Sequence, residues 1–143
     1  MNALAQDAAP LRWRRGWAVL GVLLMAATAA IALLPATRRL TAMALALPAG
    51  DKLLHMLAFA ALMGWWGNLY HRPRPRLGVA AACLLFGLLI ELAQWPHNPR
   101  DASVWDLAAD ALGLGLGALL LRTPLAGVLA CIERVLGLQQ KRR

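Results

Sequence analysis

The sequence predicts an all-α, polytopic membrane protein, with a four-helix transmembrane bundle and a short C-terminal amphipathic helix. Apolar residues make up 60% of the 143-residue chain and charged residues only 15%, whereas about a quarter of the residues in a typical soluble domain are charged. The apolar residues form runs near the roughly twenty residues that a spanning helix needs. The basic residues lie in short clusters between those runs. We therefore expect 1–143 to form a single membrane domain.

Four apolar segments have the length of a spanning helix, and they lie at about 16–34, 52–70, 77–95 and 104–121. The first is uncharged and ends before Pro35. Its apolar run is longer than that of a usual secretory signal, so we interpret it as a retained helix. The second is polar at its start and becomes apolar after His55. The third carries Glu91 near its end, and the fourth carries Asp106 and Asp110 near its start.

Two shorter pieces complete the chain. Residues 40–47 are apolar but too few to span a bilayer, and we expect them at the outer interface. Residues 124–143 contain Glu133 and Arg134 and end in a basic cluster. This pattern predicts an amphipathic cytoplasmic tail on the inner leaflet.

The basic residues are divided unequally between the two sides of the predicted bundle. Eleven of the 15 Lys and Arg residues fall on the side of both termini, and four fall on the other: Arg38, Arg39, Lys52 and Arg100. Because Lys and Arg are enriched in cytoplasmic loops, we predict a multi-pass protein of the cell inner membrane with both termini cytoplasmic. All six tryptophans fall at predicted helix ends, where an interfacial aromatic belt is expected.

The same charge distribution limits the partners. Basic residues confined to loops between apolar runs are not the continuous basic face that nucleic-acid binding needs, so we expect no nucleic acid and expect membrane lipids instead. Cys83 and Cys131 form no disulfide framework and no zinc-ligand pattern. We assign no cofactor.

Acidic residues concentrate on the side opposite the termini. Five of the seven fall there, and they come from three helices and a loop: Asp51, Glu91, Asp101, Asp106 and Asp110. Ionisable side chains near the helix ends are costly against lipid, so we expect them to face one another and water. The sequence thus predicts an outward-facing polar pocket lined by Asp51, Lys52, His55, Glu91, Gln94, Arg100, Ser103, Asp106 and Asp110.

Roles within this pocket follow from residue type and spacing. Ser103 precedes Asp106 by three residues, which favours it as the N-cap of the fourth helix. Lys52 and Arg100 do not balance the five acids, so either carboxyl groups are protonated or a cationic group binds. We take His55, Glu91 and Asp106 as the candidate catalytic residues and assign no metal.

Small residues recur at four-residue spacing on the fourth helix, at Ala109, Gly113 and Gly117. This pattern lets a second helix approach closely. We predict packing inside the bundle, with a dimer face as the alternative, so an oligomer remains possible.

Three short motifs resemble those of the VanZ-like membrane family. The segment from Asp51 to Phe59 resembles its D-K-x-x-H-x-x-x-F. Glu91 to Gln94 resembles its E-x-x-Q, and Arg100 to Asp106 resembles its R-x-x-S-x-x-D. Gly113 matches the glycine that follows the R-x-x-S-x-x-D motif in the family pattern. The resemblance covers roughly 16–121 and departs at Asp110, where the family pattern usually has Asn.

The resemblance implies a function in the cell envelope. The family is named for a protein that lowers sensitivity to teicoplanin, a glycopeptide that binds cell-wall precursors. We therefore expect the pocket to bind a lipid-linked or peptidoglycan-related envelope molecule, with an effect on glycopeptide susceptibility implied by resemblance alone. Lys52 and Arg100 would engage phosphate or carboxylate.

Other functions stay open. One is a membrane-embedded hydrolase or transferase that uses His55 and the carboxylates as acid, base or metal ligands. Another is a small proton- or cation-linked carrier. The last is a purely structural bundle.

Overall fold

A computed structural model describes residues 11–34, 48–70, 72–95 and 103–138. Within these ranges the chain forms α-helices and one 3-10 helix, with no strand. The elements are α1 (Arg14–Leu33), α2 (Gly50–Asn68), α3 (Pro73–Gln94), α4 (Val104–Leu120), a 3-10 helix (Pro124–Gly127) and α5 (Val128–Val135). The all-α prediction is confirmed for the described residues. Residues 40–47 and Arg100 lie outside them.

Two described helices, α1 and α3, are long and apolar enough to cross a membrane. α4 has 17 residues, about 25 Å of helix, against a hydrocarbon core of about 30 Å. It qualifies only together with the 3-10 helix and α5, which are bent from it by 81°. α2 carries polar residues in its first turns and does not qualify by itself. The described chain thus has two candidate spans, or three with the bent pair, where the sequence predicts four.

α2 and α4 share the most extensive helix–helix contact in the described fold, and glycines permit their close approach. A Cβ at Gly113 would collide with the backbone carbonyl of Met56, and one at Gly117 would lie 2.6 Å from the carbonyl oxygen of Ala60. Ala109, one turn earlier, is buried as well. The small-residue face of α4 therefore packs inside the bundle against α2.

The core lies around this pair. Its buried members come from α2, α3, α4 and the 3-10 helix: Phe59, Leu62, Met63, Cys83, Leu114, Leu121 and Ala126. α1 lies at the edge, and Gly21 is its one buried residue. Many apolar side chains on α1, α3 and α4 remain exposed. An apolar outer surface of this extent suits a lipid environment better than water.

Hydrogen bonds join the helices at two opposite ends. At one end, which we call the tail end, the indole N–H of Trp65 donates to the carbonyl of Trp17 over 3.0 Å. There Arg76 also donates to the carbonyl of Tyr70 over 2.7 Å, just after α2 ends. At the other end, the pocket end, Gln94 donates to the carbonyl of Ala32 over 3.1 Å. The pocket end therefore holds the starts of α2 and α4 and the ends of α1 and α3.

The C-terminal segment packs on the tail end of the bundle. Leu129, Ala130 and Glu133 are buried on one face of α5, while Val128 and Val135 are exposed on the other. The predicted short C-terminal helix is present, and it is two turns long. Its position on the inner leaflet stays a prediction.

Candidate functional site

His55 and Asp110 meet at the buried centre of the pocket end. His55 Nδ1 lies 2.8 Å from Asp110 Oδ1, and Asp110 is fully buried. The two residues come from α2 and α4, so the close packing of those helices brings them together. α3 supplies the space for the carboxylate, because a Cβ at Gly87 would collide with Asp110 Oδ2.

Lys52 lies between two carboxylates at the rim. Its ammonium nitrogen is 2.9 Å from Asp51 Oδ2 and 3.3 Å from Asp106 Oδ1. Asp106 is buried, whereas Asp51 and Lys52 are partly exposed. The ammonium of Lys52 therefore offsets the negative charge of the buried Asp106 from a more exposed position.

Glu91 connects the end of α3 to the start of α4. Its Oε2 accepts the backbone N–H of Ser103 over 2.7 Å. The Ser103 hydroxyl in turn accepts the backbone N–H of Trp105 over 3.2 Å, so the predicted N-cap of α4 is confirmed. Glu91 is 7% exposed, and it follows a stretch of α3, from Leu77 to Ile90, that has no charged residue.

Gln94 and Arg100 differ from the other predicted lining residues. Gln94 uses its amide nitrogen to bind the backbone of α1 at Ala32, so it joins helices rather than only lining the pocket. Arg100 lies outside the described residues, and its predicted pairing with the pocket acids stays a prediction. The other predicted lining residues, Asp51, Lys52, His55, Glu91, Ser103, Asp106 and Asp110, all lie at the pocket end.

Buried oxygens at this end lack hydrogen-bond donors. They are Glu91 Oε1, Gln94 Oε1, Asp106 Oδ1 and Asp110 Oδ2. Asp106 Oδ1 is within ion-pair range of Lys52, but the contact does not have hydrogen-bond geometry. Buried acceptors without donors are rare and costly, and each calls for a physical explanation. Such a cluster is suited to receive donors or a cation from a ligand.

His55, Glu91 and Asp106 also meet as potential ligands. Each offers one atom, and the three atoms lie within 4.8 Å of one another. The sequence prediction assigned no metal to these residues and named metal ligation only within the enzyme alternative. Their joint geometry could not be read from the sequence, because they come from three different helices.

Two features of the tail end escape the sequence analysis. Glu133 is fully buried, and its carboxylate accepts the backbone N–H groups of Arg12 and Trp13 and the indole N–H of Trp17. A shallow groove nearby is lined by basic and aromatic residues, with the Arg14 guanidinium 4.9 Å from the Tyr70 ring centre. Glu133 lies in a C-terminal segment rich in apolar and basic residues. An isolated acid in such a segment is the sequence signal that could have indicated its buried contacts.

Comparisons with protein-family models, with curated proteins and with solved structures found no match to this chain.

Proposed function

We propose that this chain is a VanZ-like integral membrane protein of the cell envelope whose pocket end faces outward and binds a lipid-linked or peptidoglycan-related molecule. The observation that supports this most is the set of buried carboxylate oxygens without donors, on Glu91, Asp106 and Asp110, at one end of an apolar bundle. Lys52 stands beside them as a partly exposed cation.

The chemistry of such a ligand fits this arrangement. Envelope precursors carry hydroxyl, amide and amine groups, which can donate to the unsatisfied carboxylates. They also carry phosphate, which Lys52 can bind through a charge-assisted hydrogen bond. The pocket thus offers acceptors and a cation within one site, in agreement with the binding role that the motif resemblance implies.

The proposal includes four membrane-crossing helices. α2 and α4 direct their ionisable residues at each other, through His55 and Asp110, rather than outward. Helices with polar residues can lie in a bilayer when those residues face the bundle interior. α2 and α4 are therefore proposed as inner helices, with α1 and α3 as their apolar neighbours.

Ligand binding is tested by lipid mass spectrometry of the full chain, extracted directly into native nanodiscs. We expect a phosphate-bearing envelope lipid to co-purify with the wild type and to be depleted at least about tenfold in Lys52→Gln and Asp106→Asn, because each removes a charged contact. Arg74→Gln is the matched control, since Arg74 is an exposed cation at the tail end. Equal lipid content in all four proteins would contradict the proposal. Teicoplanin susceptibility of cells expressing each variant is the cellular readout.

The proposed orientation has its own prediction, based on the eleven-to-four distribution of basic residues. In a Cys83→Ala background, a membrane-impermeant maleimide should label Val104→Cys in intact cells and the native Cys131 only after permeabilisation. Val104 is 84% exposed at the pocket end, and Cys131 is exposed at the tail end. The reverse labelling pattern would place the pocket end in the cytoplasm.

A hydrolase or transferase is the second candidate. The hydrogen bond between His55 Nδ1 and Asp110 Oδ1 orients the imidazole as a general base requires. Release of phosphate from a lipid pyrophosphate by the purified protein, lost in His55→Gln, would favour this enzyme over a binding protein.

A further inference from the structure

The pocket end contains a set of side chains that matches a metal-ion site. One nitrogen of His55 and one carboxylate oxygen each of Glu91 and Asp106 lie within 4.8 Å of one another. Glu91 is 7% exposed and Asp106 is 4% exposed, and each has a buried oxygen with no hydrogen-bond donor. Asp106 Oδ1 has the Lys52 ammonium 3.3 Å away, whereas Glu91 Oε1 has neither a donor nor a cation in the described residues. The unpartnered oxygen of the buried Glu91 is independent evidence that the cluster receives a cation.

The second layer of this cluster has the arrangement found around metal-bound histidines. Asp110 Oδ1 contacts His55 Nδ1, which leaves Nε2 as the nitrogen available to a ligand. A carboxylate behind a histidine fixes its tautomer and ring orientation and increases its basicity as a metal ligand. Ser103 holds Glu91 in a similar way, because its backbone N–H binds Oε2 and leaves Oε1 free.

We propose that His55, Glu91 and Asp106 bind a divalent transition-metal ion, with Zn²⁺ as the best match. One imidazole nitrogen with two carboxylate oxygens suits Zn²⁺, whereas Mg²⁺ and Ca²⁺ favour oxygen ligands alone. Ligand atoms in a tetrahedral zinc site are about 3.3 Å apart. The three candidate atoms lie within 4.8 Å of one another, so no pair would need to close by more than about 1.5 Å.

Lys52 competes with this ion for Asp106, because its ammonium lies 3.3 Å from Asp106 Oδ1. Metal binding therefore displaces Lys52 or weakens its ion pair. Three protein ligands leave a fourth position for water or for an oxygen of a bound molecule. The inference does not depend on the proposed envelope ligand, since it concerns binding of the metal alone.

The test uses the full chain in detergent, stripped with a chelator and titrated with Zn²⁺ against a chromophoric competitor. We expect one Zn²⁺ per chain, and affinity at least about tenfold lower in Glu91→Gln and in Asp106→Asn, which keep side-chain shape. Asp110→Asn should lower it by about tenfold through the orientation of His55. Cys131→Ser is the control for binding to the exposed thiol and should leave the affinity unchanged.

One variant is expected to bind Zn²⁺ more tightly than the wild type, and misfolding cannot explain such a gain of affinity. Lys52→Met removes the ammonium that pairs with Asp106 Oδ1 at 3.3 Å and would repel a cation bound there, so it should tighten Zn²⁺ binding by about tenfold. Unchanged or weaker binding in Lys52→Met would overturn the assignment of Asp106 as a ligand. Wild-type affinity in both carboxylate variants, loss of binding in Cys131→Ser, or equal displacement by Mg²⁺ would overturn the site.

Discussion

Replacing Gly113 with alanine is expected to lower the free energy of unfolding by about 1–3 kcal/mol, the cost of overpacking a tight interface. A Cβ at this position collides with the Met56 carbonyl and lies 3.0 Å from the Met56 Cα. The obstacle is backbone, so no side chain can rotate away, and α2 must move from α4. Because His55 directly precedes Met56, the contact between His55 and Asp110 should weaken as well.

Gly115→Ala is the matched control on the same helix. Nothing lies within 4 Å of a Cβ there, and alanine is the better helix former by about 1 kcal/mol in water. This variant should be as stable as the wild type or more stable. Both variants would be compared by equilibrium unfolding in one detergent, with Zn²⁺ affinity as a second measurement. If Gly115→Ala proves the more damaging, the α2–α4 interface is not the tight contact described above.

Glu133→Ala is expected to lower the free energy of unfolding by about 3 kcal/mol, within the range for breaking a buried, charge-assisted network. The carboxylate accepts two backbone N–H groups just before α1 at 3.0 Å and the Trp17 indole N–H at 2.8 Å. Neither N–H belongs to α1 itself, but Trp13 is the N-cap residue of α1 and supplies no side-chain cap, and a glutamate that accepts the N–H of the N-cap residue is one half of a capping box. Glu133 therefore caps α1 from the other end of the chain and complements its dipole.

Two further variants separate this cap from general effects of α5. Glu133→Gln keeps the shape and an acceptor oxygen but loses the charge, so its loss of stability should be intermediate. Arg134→Gln alters the neighbouring exposed residue, which bonds only weakly within α5 at 3.4 Å from the Ala130 carbonyl. Its effect should stay within about 0.5 kcal/mol. Unfolding of the three variants would be followed by tryptophan fluorescence, and equal losses would exclude the cap.

The two predictions concern opposite ends of the bundle and should act differently on the site. The α2–α4 contact at Gly113 is one turn from Asp110, whereas the Glu133 cap is at the tail end. Glu133→Ala should therefore lower global stability while the folded fraction still binds Zn²⁺ with wild-type affinity. Loss of affinity per folded molecule would show that the tail end shapes the pocket.

The sequence by itself determined the helical fold class and the membrane-like character of α1 and α3. Long uncharged runs leave few alternatives to a spanning helix, because every backbone polar group must be satisfied within the segment. The positions of ionisable residues near predicted helix ends also marked the candidate site residues of α2 and α4, because such residues are costly against lipid. Ser103 was recognised as a cap because capping is local in sequence.

Only the tertiary structure decided which polar groups meet across helices. Spacing along one helix says nothing about its rotation against a neighbour, so the contact of His55 with Asp110 and the grouping of His55, Glu91 and Asp106 became visible only in the packed bundle. The role of Glu133 required contacts between residues more than 100 positions apart. The glycines of α4 set how α2 and α4 are rotated against each other, because the two helix backbones can touch only where a residue has no side chain.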